Sequence, residues 1–275
     1  MDCEEKSFQL THLTFFKVGA TGSFGGEKAD DVFNIRINYF KNYASSHNLE
    51  FVVVDSNISE HARMSFNYIH TFRTISAVLA LQKLFRVYYY SSGFTIGEFS
   101  FSPIDAANFD LFNLKYFTTE GTDFYSVDMD SDRLDKQNYI KDFSDTYHYL
   151  NVCNLEAVNC SKCEKCIRTM VGFYILDRLE DYKEVFDIEY FFSNFAKCIG
   201  FLIGKSFDGS TEGNIDRALI KRMKFSGKRI PLNAYFFAIP VSIKSILYRV
   251  ARSIKPVRKW YHKRMHKKLG CNYVD

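Results

Sequence analysis

The sequence predicts an α/β fold, a parallel sheet with helices on both faces, followed by a four-cysteine knot and a small helical C-terminal lobe. Two observations carry this. Short apolar runs rich in Val, Phe and Tyr alternate with helix-length amphipathic segments, the pattern of right-handed crossovers in a parallel sheet. Four of the seven cysteines are then bunched between positions 153 and 166. With 47% hydrophobic and 17% aromatic residues over 275 positions, the chain can bury one large core, or one core and a smaller appendage.

Residues 10–18, 51–55 and 87–91 read as buried strands, apolar runs ending in Gly, Asp or Ser. Residues 30–47 carry Val32, Phe33, Ile37 and Phe40 at helical spacing, and residues 66–84 carry Ile69, Phe72, Ile75 and Leu79. Further strands are expected at 114–118 and 147–152, then helices at 167–179 and 185–203. The expected domains are 1–152 (α/β), 153–225 (cysteine knot and helical lobe) and 226–275 (basic amphipathic tail).

Ligands of open parallel sheets gather beyond the carboxyl ends of strands. That rule selects Asp55, Ser56 and Asn57 after one strand and Ser91, Ser92 and Gly93 after another; as ordinary turn residues they need no ligand. The stretch from Gly19 to Gly26 lacks the Gly-Lys-Ser/Thr ending of a phosphate loop. Its glycines recur at every third position, and it reads as a flexible loop.

The spacing Cys153-x6-Cys160-x2-Cys163-x2-Cys166 suits a tetrahedral zinc tetrathiolate, whose charge Lys162, Lys165 and Arg168 can offset. An iron–sulfur cluster and four free thiols are the alternatives. Four protein ligands leave no position for water, so zinc here is structural. An acidic start and an odd cysteine count argue for a reducing, cytoplasmic setting without a disulfide framework. No apolar run is expected to reach the roughly 20 residues of a membrane span.

Charge is asymmetric. From Lys221 onward there are 15 Lys and Arg against one acidic residue, and before it 21 against 31. Within 240–269, Ile243, Ile246, Leu247, Val250 and Ile254 share a helical face among basic residues, with Trp260 beyond. This predicts peripheral contact with an anionic membrane at its inner face. Nucleic acid is the less favoured partner, and a helix packed on the acidic body the plainest reading.

The motif Asn159, Cys160, Cys163, Lys165, Cys166, Arg168, Thr169 and Met170 resembles the cysteine knot of 7-cyano-7-deazaguanine synthase and related members of the PP-loop, or adenine nucleotide alpha-hydrolase-like, superfamily. It is more similar still to a bacterial group often associated with surface-polysaccharide loci. Val53 to Asn57, Tyr90 to Ser92 and Ser131 to Lys136 extend the resemblance over roughly residues 10–179.

The resemblance implies a Rossmann-like, HUP-type sheet that binds ATP and magnesium. It also implies ligase or amidotransferase-like chemistry: a substrate oxygen attacks the α-phosphate, pyrophosphate leaves, and ammonia or another nucleophile displaces AMP. It places Ser91 and Ser92 in a nucleotide or small-molecule crevice and Asp55 and Asn57 at its rim. Arg133 and Lys136, one helical turn apart, would meet phosphate oxygens. The Ser-Gly-Gly-x-Asp-Ser loop that follows the superfamily's first strand has no counterpart before Leu10, and Ser23 to Glu27 lacks its Asp-Ser ending. The chain is therefore expected to begin one strand late. Either the loop is supplied otherwise, or the protein is a non-catalytic, zinc-stabilised nucleotide-binding or scaffold protein.

Overall fold

The computed structural model describes residues 5–100, 105–254, 256, 257 and 260. The chain divides into two compact units, Met1–Asp132 and Arg133–Asp275. The break falls before the boundary expected at 152, because residues 133–152 pack on the cysteine-bearing lobe. There Gln137 donates from Nε2 to Thr169 O at 2.9 Å. Its side chain lies where any Cβ on Gly172 would sit, so glycine is what lets the two helices meet.

In the first unit β1 (His12–Phe16), α1 (Glu27–Ser46), β2 (Glu50–Val54), α2 (Ile58–His61), α3 (Phe66–Ala80), β3 (Val87–Ser91), α4 (Asp110–Tyr116) and β4 (Asp123–Val127) follow in order. The three strands expected first are present. The fourth is not at 114–118, because Asp110, Asn113 and Leu114 are buried at helical spacing and form α4. Instead, Asp123–Val127 pairs with β3.

Among the described residues a single sheet is not formed. β1 pairs with β2 and β3 with β4, each in parallel, as two two-stranded sheets. Helices do cover opposite faces. On one, Phe15 stacks on Phe33 of α1 at 4.9 Å between centroids. On the other, Phe16, Phe124, Ile75 and Val78 of α3 and Leu114 of α4 share a core.

The second unit is helical among its described residues: α5 (Arg133–Ile140), α6 (Asp145–Tyr149), α7 (Glu164–Ile175), α8 (Ile188–Ser193), α9 (Phe195–Lys205), α10 (Thr211–Phe225) and α11 (Leu232–Ser253). The strand expected at 147–152 is instead α6 and a loop whose main-chain N–H groups of Val152 and Cys153 donate to the Asn159 side chain. Cys166, Met170, Phe173, Tyr182, Phe191, Ile199 and Met223 fill the core.

The expected tail is partly body. Ala234, Ala238 and Ser245 of α11 are buried at four- and seven-residue spacing. A Cβ on Gly200 of α9 would lie 2.5 Å from Ala234 O, so the two helices approach through glycine. By length and composition Leu232–Ala251 is the one helix among the described residues that could cross a bilayer, which corrects the expectation that no segment is long enough. Of the tail beyond it, residues 255, 258, 259 and 261–269 lie outside the described residues.

Candidate metal centre and expected nucleotide site

Cys153 follows a loop that Asn159 holds in shape. Asn159 Oδ1 accepts the N–H groups of Val152 at 2.9 Å and Cys153 at 3.2 Å, while Nδ2 donates to Leu150 O at 2.8 Å. Ser161 then adopts φ 58° in the turn between Cys160 and Cys163, and its hydroxyl accepts the N–H of Asp187 at 2.8 Å. Cys163 caps α7 and Cys166 lies in its first turn, so both sulfurs lie near the positive end of a helix.

The four sulfurs all fall within 4.8 Å of one another. Cys153 and Cys163 are 3.9 Å apart. In a tetrahedron with zinc–sulfur bonds of about 2.3 Å, sulfurs stand roughly 3.8 Å from each other. The four are free of disulfides, with Cys153 and Cys166 buried. Main-chain N–H groups of Glu156 and Cys163 donate to Cys153 Sγ at 3.4 Å and Cys160 Sγ at 3.3 Å, as thiolates require. Burial pushes the Cys153 thiol up, but N–H groups of Cys160, Leu155 and Glu156 outweigh it and bring it down to about 7. Burial and the neighbouring Cys163 push Cys166 up. A thiol pushed up in this way gives up its proton when a metal ion binds it. The cluster can thus hold one metal ion with four protein ligands.

Arg168 does not neutralise the sulfurs as expected. Its guanidinium forks onto Asp216 of α10, with Nε to Oδ1 at 2.5 Å and Nη2 to Oδ2 at 2.8 Å, and also reaches Glu164 and Glu212. It joins α7 to α10. Lys162 lies over the ring of Tyr190, and both Lys162 and Lys165 are exposed.

Four of the residues expected to bind nucleotide stand at strand ends of the first unit. Asp55 closes β2 and pairs with Lys17 Nζ at 2.5 Å; Lys17 also holds Asp30 at 3.0 Å. Asn57 precedes α2, where its carbonyl accepts the N–H of Glu60 at 2.9 Å. Ser91 ends β3 exposed, and Ser92 donates its hydroxyl to Asp128 O at 2.8 Å. Arg133 and Lys136 occupy the first turn of α5, in the second unit.

Two buried polar groups escaped the sequence reading. Arg73, 1% exposed, donates to the carbonyls of Val18, Ser23, Ala62 and Met64. Gly19 has φ 110°, and a Cβ there would lie 2.5 Å from Arg73 Nη1. The loop from Gly19 to Gly26 is thus pinned by a guanidinium, not merely flexible. Nearby, His70 bonds Tyr90 OH through Nδ1 and Asp105 Oδ1 through Nε2, each at 3.0 Å. Thr71 donates to buried Asp110 at 2.7 Å. His70 thus ties Tyr90 of β3 to Asp105. The available signal was phase: Arg73 falls on the buried stripe of α3 with Ile69 and Ala77.

No family model, curated protein or solved structure matches the chain.

Proposed function

We propose that the chain is a zinc-stabilised protein of PP-loop type that binds an adenine nucleotide at the strand ends of its α/β unit. The reaction would be adenylation of a small carboxylate or carbonyl compound before attack by ammonia or another nucleophile. The observation that carries the reading is the sulfur cluster. Its four-ligand, metal-sized geometry suits a closed structural zinc site, and its motif is the most specific part of the resemblance.

Asp55, Asn57, Ser91 and Ser92 would position nucleotide and substrate, with magnesium carried on the phosphates. Arg133 and Lys136 belong to the second unit and are not assigned to this site. Calorimetry with ATP and magnesium, run beside a pyrophosphate-release assay with carboxylate substrates and ammonia, tests this. Binding with release supports the adenylating enzyme, and binding without release a nucleotide-binding scaffold. Absence of both, in zinc-loaded protein, refutes the nucleotide reading.

One observation favours a membrane-surface role in addition. The outward row Phe236, Ile243, Leu247 and Val250 of α11 is 72, 55, 63 and 50% exposed, with Lys244 and Arg249 also exposed. An apolar face with basic flanks suits an anionic bilayer surface, where each cation contributes about 1 kcal/mol. Flotation with phosphatidylserine vesicles should carry the full chain upward and lose it in high salt. Equal flotation with neutral vesicles would refute the electrostatic part.

A further inference from the structure

The connection between α10 and α11 forms a hydrogen-bonded basic tip with an apolar residue on either side. Its shape is set by the closing turn of α10. The N–H of Ser226 donates to Arg222 O at 2.9 Å, that of Gly227 to Lys224 O at 3.2 Å and that of Lys228 to Met223 O at 3.2 Å. Gly227 takes φ 74°, the left-handed value this closure demands, and a Cβ there would meet nothing within 4 Å. Residues 224–227 are all exposed, so the tip stands out from the lobe.

The core residues of both helices decide which side chains point outward. Met223 and Ala234 are fully buried in the core of the lobe. Phe225 and Leu232 each lie two positions from one of them, about 200° around the helix, and turn away from that core. Leu232, Phe225 and Phe236 are 88, 77 and 72% exposed, the three most exposed large apolar side chains of the second unit among the described residues. Leu232 and Phe236, four positions apart, begin the outward row of α11 that continues through Ile243 and Val250.

Charge completes the tip. Residues 221–229 include five basic residues and no acidic one. Arg222 is held by Asp135 at 3.3 Å, and Lys228 by Asp177. Lys221, Lys224 and Arg229 are exposed and meet no carboxylate among the described residues; Lys221 instead lies over the Phe225 ring, 5.7 Å from its centroid. The negative end of α10 accounts for Lys224, but not for an exposed Phe225 or for Arg229 beyond the helix.

We infer that this tip is the part of the chain that enters an anionic bilayer. Phe225 and Leu232 pass into the acyl boundary while Lys221, Lys224 and Arg229 stay among the lipid phosphates. The inference rests on the membrane-surface reading of α11 and adds the point of entry. Apolar side chains beside cations that lack a carboxylate fit a surface that is negative outside and apolar within. A nucleic-acid strand would supply negative charge and a base for Phe225, but no apolar phase for Leu232.

The test uses the full chain with Trp260→Phe, which removes its one tryptophan, and Phe225→Trp as the reporter. With vesicles of phosphatidylserine and phosphatidylcholine, the reporter's emission should shift to the blue. Lipids brominated high in the acyl chain should quench it by about twofold or more, and lipids brominated near the chain end should quench it less. Phe225→Ser with Leu232→Ser, both at exposed positions, should weaken vesicle binding by about tenfold or more with helix content unchanged. Flotation of the reporter chain with an unshifted, unquenched tryptophan would overturn this inference and leave the contact to the outward row of α11. Absence of flotation would overturn the membrane reading itself. A blue shift with a single-stranded oligonucleotide and none with vesicles would give the tip to nucleic acid instead.

Discussion

Arg168 and Asp216, 3% and 0% exposed, form a two-pronged ion pair that ties α7, the helix carrying Cys166, to α10. Burial pushes the Asp216 carboxyl up even beside this cation, so the pair holds only while both partners remain. Arg168→Ala strands a buried carboxylate and should cost about 3–5 kcal/mol in urea unfolding. Arg168→Met with Asp216→Leu removes both charges and should recover most of that loss. A double variant no more stable than Arg168→Ala would show that the pair contributes through something other than charge.

Asn159 is expected to act on metal retention without touching the metal. Its Oδ1 fixes the loop that presents Cys153. Asn159→Ala should weaken metal affinity by about tenfold to a hundredfold, measured by competition with a chromophoric chelator. Asn159→Asp keeps the accepting oxygen and should lose less, apart from the bond to Leu150 O.

Asp110 gives the first unit a pH dependence. Burial pushes its carboxyl up to about 6, despite the Thr71 hydroxyl. Between pH 4 and 6 the native state holds a proton that the unfolded chain has released. That stability is complete below the unfolded value and is lost as pH rises through about 6, on the order of 3 kcal/mol. Asp110→Asn should flatten this part of the stability–pH curve. An unchanged slope would place the titration elsewhere.

What was legible in the sequence is what local pattern encodes. β1, β2 and β3 were visible as short Phe-, Val- and Tyr-rich runs, and the four-cysteine cluster as cysteine spacing. Residues 114–118 misled because Tyr116, Phe117 and Thr118 favour strands intrinsically, whereas packing of Asn113 and Leu114 selects a helix. Residues 147–152 misled for another reason: the N–H of Val152 goes to a side chain rather than to a ladder. The split of the sheet was invisible, since pairing between strands is set by tertiary contacts. Two partners of Arg168, Glu212 and Asp216, lie in another helix, 44 and 48 positions on, which spacing around the cysteines cannot indicate.

Elemental analysis of freshly purified, folded full-length protein tests the central claim, a structural zinc held by Cys153, Cys160, Cys163 and Cys166, most directly. One zinc per chain is expected, reduced in Cys163→Ser together with solubility and retained in Cys198→Ala, whose sulfur lies in α9 outside the cluster. Folded protein without zinc, or with stoichiometric iron in its place, would contradict the account.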